Sequence, residues 1–225
     1  LAPDRVSVFG YAHLPSALPR QRLIDEECLP DSELRVDLAA LADETFIAAG
    51  YRRIGFDHYA RPGNPLSAAE REGRLRRNFQ GFTDDLAETT LGFGASAISH
   101  VNGLYAQNEK SLAGYYDRIA AGVLPVARGV ELSASESVIA GVIQKLLCQG
   151  AANIAPVLAA VAADEAKAIC ARLEALQTDG LIRWDGDEVV IAPSARLLSR
   201  CVAKALDPYE LPHKKTVPDR LARVV

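Results

Sequence analysis

At 225 residues, with 49% hydrophobic and 24% charged side chains, the chain is long enough for one large or two small globular domains with a real core. A formal net charge of −4 argues against a nucleic-acid polyanion as partner. No apolar run approaches the ~20 residues of a membrane span, and no basic-then-apolar leader is read, so a cytoplasmic protein without membrane contact is expected.

The chain contains no Met and opens on "LAPDRVSVFGYAH", almost directly in a strand. That pattern leads us to expect a piece of a longer protein. Residues 5 to 13, apolar on both faces around Val6, Val8 and Phe9, read as a buried strand. Asp31-Ser32 then opens a helix with Leu34, Leu38, Leu41 and Phe46 on one stripe, closed by Gly50. "YRRIGFDHYA", residues 51 to 60, reads as the next strand, giving a βαβ unit whose two strands should be parallel. Tyr11, His13, Asp57, His58 and Tyr59 then fall at strand C-terminal ends, where parallel α/β folds place ligands. A His beside an Asp there could move a proton or bind a carboxylate, or could be a satisfied loop network.

Residues 61 to 80 begin with an Arg-Pro-Gly-Asn-Pro turn and continue as a charged helix whose arginines read as a solvated face. Residues 81 to 109 are rich in Gly, Ser and Asn and read as a functional loop region. From Ser111 the character becomes helical. "SLAGYYDRIAAG" is a short amphipathic helix, and Ser133 with Glu136 forms a capping box leading into Val138, Ile139, Val142, Ile143, Leu146 and Leu147. Pro156 begins a helical stretch to Gln177, stopped by Asp179-Gly180. "LIRWDGDEVVIA" is a hairpin turning at Asp185-Gly186, and "SARLLSRCVAKAL" returns to helix. The expected organisation is α/β over residues 1–129, followed over 130–225 by a helical, winged-helix-like domain.

The cysteines Cys28, Cys148, Cys170 and Cys201 make no C-x-x-C and no zinc or iron–sulfur spacing. The last three sit in apolar helical patterns, as buried inert thiols do. Gly92-Phe93-Gly94-Ala95-Ser96-Ala97 is a literal G-x-G-x-x-A with Asp117 downstream, but a dinucleotide fingerprint must follow a buried strand and open a helix. The acidic "TDDLAETT" before it and Asn102-Gly103 after it deny that context. What survives is a bulk-poor segment, with Ile98 at its large-residue centre, that lets main chain approach a ligand or another strand.

The strings "VFGYAHLP", "IGFDHYARP", "RNFQGFT", "GASAISHVNGLYAQN" and "RGVELS" resemble, in order and spacing, the second half of the oxygen-independent coproporphyrinogen III oxidase (dehydrogenase) family of radical S-adenosylmethionine enzymes. The resemblance implies part of a (β/α)6 barrel followed by the helical domain. It implies oxidative decarboxylation of the propionates on rings A and B of coproporphyrinogen III, giving protoporphyrinogen IX without oxygen. A reduced 4Fe-4S cluster cleaves S-adenosylmethionine in that family, and the 5′-deoxyadenosyl radical abstracts a propionate hydrogen. By position, Ala12 and Ile98 match contacts to S-adenosylmethionine, and Phe79 and Gln80 match residues beside a second such molecule. Tyr105 and Asn108 are further candidates for shaping the pocket.

The family's C-x-x-x-C-x-x-C is absent from this sequence, so the cluster ligands are expected outside this chain, which by itself is expected to be inactive. The full-length protein is expected to be monomeric, with an electron donor that the sequence does not identify. "LLCQGAAN" and "AKALDPYE" drift from the family pattern, which leaves a haem-handling relative without oxidase activity as an alternative. A non-catalytic interaction module over 130–225 is another. DNA binding is disfavoured because acids outnumber bases on the helix before the hairpin and the wing tip is Asp185-Gly186-Asp187-Glu188.

Overall fold

The computed structural model describes residues 2–207. It opens with β1 (Arg5–Ser7), α1 (Ser32–Ala48), β2 (Arg52–Ile54) and β3 (His58–Ala60), with two single 3-10 turns between β1 and α1. α1 starts where its cap residue dictates: the Asp31 carboxylate accepts the Leu34 N–H at 2.9 Å. It stops before Gly50, which takes the left-handed conformation at φ +82°.

The segment 51–60 is a hairpin rather than one strand. Gly55, at φ +62°, turns the chain, and β3 returns antiparallel to β2. β3 also pairs antiparallel with β1, so the sheet order is β1-β3-β2. β1 and β2 do run in the same direction, but β3 lies between them, and the expected adjacent parallel pair is absent. Every strand pairing among the described residues is antiparallel. A glycine that is also compatible with a strand interior concealed the turn.

α2 (Pro65–Arg71) is capped by Asn64, whose side chain accepts the Leu66 N–H. The charged helix expected to reach residue 80 ends here, because Gly73 reverses the chain at φ +66°. Residues 76–83 form instead the hairpin β4 (Arg76–Asn78) and β5 (Gly81–Thr83), with Phe79 and Gln80 at its tip. The region 81–109 is also more ordered than a loop. β6 (Ile98–Val101) and β7 (Leu104–Asn108) pair across Asn102-Gly103, both at positive φ as a tight hairpin turn requires. α3 (Leu112–Ala120) follows with Ser111 as its cap, and β8 (Val126–Glu131) returns to the far side of β7.

The capping box forms as expected at the start of α4 (Ala134–Gln149): Ser133 and Glu136 satisfy each other's backbone N–H. After β9 (Ala151–Asn153), the stretch expected as one helix is two, α5 (Ala155–Ala160) and α6 (Ala163–Thr178), separated at an extended Val161. The hairpin β10 (Ile182–Asp185) and β11 (Glu188–Ile191) turns at Gly186-Asp187, and β9 pairs with β11. A 3-10 segment, Pro193–Leu198, leads into α7 (Ser199–Lys204). The order from α4 is therefore helix, strand, helix, helix, strand, strand. Residues 208–225, where the sequence reading extends the same domain, lie outside the described residues.

Two apolar cores result. One is built by Leu146, Ile154, Val157, Ile169, Leu173, Val189 and their neighbours. The other gathers Ile54, Phe56, Leu66, Leu75 and Phe82, with Cys148 from α4 inserted into it. α4 thus touches both. Among the described residues, no helix is long and apolar enough to cross a membrane.

Candidate functional site

The β4–β5 tip, the loop 85–97, the β6–β7 hairpin and one face of α4 enclose a cleft of about 980 Å³. Its size suits a ligand considerably larger than a single amino acid. Phe79 and Gln80 enter from the hairpin tip, Ile98 from the first residue of β6, and Tyr105 and His100 from the facing strands. Phe79 meets Tyr105 edge-on at 5.4 Å, and Tyr105 stacks on His100 at 4.3 Å. Ala140, Ile143, Gln144 and Leu147 of α4 complete the wall. Three of the four residues singled out in the sequence, Phe79, Gln80 and Ile98, therefore share one concavity.

Ala12 does not line it. It lies in the loop after β1, where its carbonyl accepts the Gln21 side-chain amide at 3.0 Å and the same side chain takes the Leu14 N–H. His13 is held in a local chain, with Nδ1 3.1 Å from the Tyr11 hydroxyl and Nε2 3.1 Å from Glu26. Asp57 and His58 form a separate buried pair, Oδ1 to Nδ1 at 2.6 Å, with the imidazole edge-on to both Phe9 and Phe82. Tyr11 and His13 follow the C-terminal end of β1, but the other three sit at no strand C-terminus: Asp57 is in the β2–β3 turn, His58 begins β3, and Tyr59 lies within it. Tyr59 instead donates to Asp43, which also takes two hydrogen bonds from Arg53. Burial pushes the Asp43 carboxyl up, but those hydrogen bonds and the Arg53 charge outweigh it and hold the group below its usual range.

The bulk-poor segment 92–97 proves to be a packing device. Main-chain atoms of Ile98 lie within 2.9 Å of where a Cβ on Gly92 would stand. Four of its amides are already engaged: Gly92 donates to Ser99 Oγ, Gly94 to the Tyr115 hydroxyl, Ser96 to the Glu109 carbonyl and Ala97 to the Gly94 carbonyl. Asn108, buried behind it, donates through Nδ2 to the carbonyls of Gly92 and Gly94. Tyr105 therefore faces the cleft, while Asn108 holds the segment that walls it. A phosphate-cradling loop needs free amides and a following helix, and this segment leads instead into β6.

Arg76 and Arg77 also line the cleft, on β4 rather than on the solvated helix face expected of this Arg-rich stretch in preference to an anion site. Cys148 is buried as expected, and burial raises its thiol to about 12, although the nearby Arg77 charge lowers it. Cys170 and Cys201 are only half-buried, and Cys28 is exposed. Among the described residues, no three His, Cys, Asp or Glu side chains gather as a metal site.

No family model matches the chain. The chain is 41% identical over 217 residues to the oxygen-independent coproporphyrinogen III oxidase of Bradyrhizobium diazoefficiens, covering 96% of this chain and 48% of that protein. It is 36% identical to the protein of the same name from Pseudomonas aeruginosa, covering 93% and 46%. The solved structure of coproporphyrinogen III oxidase (HemN) from Escherichia coli, a radical SAM enzyme, matches with a TM-score of 0.83 at 36% identity, over 92% of this chain and 49% of that one. The chain thus spans about half the length of the curated relatives it matches. With sequence and fold agreeing over almost all of its residues, the chain belongs to the oxygen-independent coproporphyrinogen III oxidase family.

Proposed function

We propose that this chain is the C-terminal half of an oxygen-independent coproporphyrinogen III oxidase. In that reading residues 1–129 complete a (β/α)6 barrel begun by the other half. Residues 130–207 form the described part of the winged-helix-like domain, whose first helix, α4, walls the cleft. The whole protein, monomeric and cytoplasmic, converts the ring A and B propionates of coproporphyrinogen III to vinyl groups. The observation that carries this reading is the meeting of Phe79 and Gln80, from the β4–β5 tip, with Ile98, from the start of β6, on one cleft that α4 closes.

The residues present fit an adenosyl ligand. Phe79 offers a largely exposed ring, 66% accessible, already oriented by Tyr105. Gln80 both donates and accepts hydrogen bonds, and Ile98 gives an apolar face to a sugar or a base. When bound, S-adenosylmethionine supplies the hydrogen-abstracting fragment after reduction by the iron–sulfur cluster. This chain's own task is to orient that ligand against the propionate and to keep water from the space between them. Ala12 lies outside this cleft, and its place beside Ile98 on the first S-adenosylmethionine rests on the family resemblance alone. The cluster finds no ligand set among the described residues, so its thiolates belong to the other half.

The test uses the full-length protein, reconstituted anaerobically with iron and sulfide. We expect 5′-deoxyadenosine together with vinyl product, and at least a tenfold loss of both in Gln80→Ala and Ile98→Asp. Formation of 5′-deoxyadenosine with no decarboxylation of coproporphyrinogen III would instead support the haem-handling relative.

A further inference from the structure

Arg77 has an unusual set of neighbours for a guanidinium. It is half-buried on β4, opposite Phe82, and lines the cleft. Its guanidinium carbon stands 5.2 Å from the Phe56 ring centre and 5.5 Å from that of Phe82. Both rings lie within cation–π range, which holds the charged group in place without taking up its N–H donors. Its Nε is shut off from solvent without an acceptor, and among the described residues Arg77 makes no ion pair and no hydrogen bond. The carboxylates that line the cleft do not pair with it: Asp85 accepts the Ala87 N–H, and neither Asp85 nor Glu88 forms an ion pair with an arginine. A guanidinium cannot shed its charge, and desolvated donors without an acceptor are costly, so such a group is held ready for an anion.

We propose that Arg77 is the carboxylate anchor of the cleft, gripping a ligand carboxylate in fork geometry while Phe56 and Phe82 hold it in place. This rests on the functional reading above, in which two ligands carry such a group: the propionate-bearing macrocycle and the amino-acid end of S-adenosylmethionine. Nothing in the fold requires a cation at this position. The register that places Arg77 opposite Phe82 would bury an apolar side chain as well.

The experiment measures binding of two probes to the full-length protein: coproporphyrin III, a stable fluorescent tetracarboxylate, and S-adenosylmethionine. Arg77→Gln and Arg77→Lys are compared with the unchanged protein at matched thermal midpoints. We expect Arg77→Gln to weaken one probe at least tenfold, and Arg77→Lys, which keeps the charge but not the fork, to weaken the same probe several-fold. The probe affected identifies the source of the carboxylate. Should Arg77→Gln not fold, the Lys variant decides alone. If the unchanged protein binds both probes and neither variant weakens either of them, the anchor role is overturned while the functional reading stands. If the unchanged protein binds neither probe, that reading falls and takes the inference with it.

Discussion

Residues 134–207 and residues 2–131 solve the burial problem differently. Every large hydrophobic side chain left exposed, from Phe9 to Val130, belongs to the earlier region, and none belongs to the later one. In the later region the helices and the β9–β11–β10 sheet close on one core, and α4 also lends Cys148 and Leu147 to the earlier one. In the earlier region α1 buries only Asp43, while Leu34, Val36, Leu38 and Leu41 remain about half exposed or more. A helix apolar on two sides is built for a layer covered on both faces, as in a barrel wall. One region is complete in itself, and the other has the surface of a part.

The most severe way to break this comparison is inside the closed core. Leu146 is fully buried on α4, and Leu146→Ala leaves a cavity, so we expect a loss of about 2–5 kcal/mol in chemical denaturation. A loss below about 1 kcal/mol would show that this core is not tightly packed. In the earlier region α1 is held to the sheet by the stacking of Phe46 on Tyr59 and by a polar cluster around Asp43. Asp43→Asn removes the charge that satisfies Arg53, at an expected cost of about 2 kcal/mol, discounted because Arg53 is partly exposed. The Asp43 carboxyl is held below its unfolded value, so it contributes stability at neutral pH that is lost as pH falls through its folded value. The variant should lose that acid-side slope, and an unchanged slope would exclude Asp43 as its source.

A smaller effect probes the contact between the regions. Cys148 is carried by α4 but buried in the earlier core, where burial raises its thiol to about 12 from 9.0. Between those values the unfolded chain binds fewer protons than the folded one, so stability falls with rising pH, by up to about 1.4 kcal/mol per unit. Below pH 9 there is no effect. Denaturation midpoints from pH 8 to 10.5 should show this slope in the unchanged chain and not in Cys148→Ala. A matching slope in both would place the thiol in contact with solvent.

What could be read from the sequence follows the same division. The cap at Asp31 and the Ser133–Glu136 box are local signals and stand where they were expected, and the hairpin expected to turn at Asp185-Gly186 forms one residue later, at Gly186-Asp187. The misreadings arose where a glycine had two meanings. Gly55 and Gly73 each reverse the chain, and nothing within a few residues separates that from a glycine tolerated inside a strand or helix. Asn102-Gly103 between "ISHV" and "LYAQN" was a legible hairpin signal that went unused. Of the cleft, Phe79, Gln80 and Ile98 came from family resemblance. Arg77 could not be found by pattern, because its setting depends on β4–β5 register and on Phe56 from a distant turn.

The least disruptive change sharpens the comparison most. Leu41 is 59% exposed on α1, so Leu41→Gln removes little buried area and keeps a good helix former. In this chain alone the expected change is within about 0.5 kcal/mol. If the other half of the protein covers α1, as the proposed barrel requires, the same substitution in the full-length protein exposes nothing on folding but buries an unpaired amide. The cost there should reach about 1–3 kcal/mol. The quantity of interest is the difference between the two hosts, read as paired denaturation midpoints. Equal and negligible effects in both would mean that α1 faces water in the complete protein, and the exposed face would then need another explanation than a missing layer.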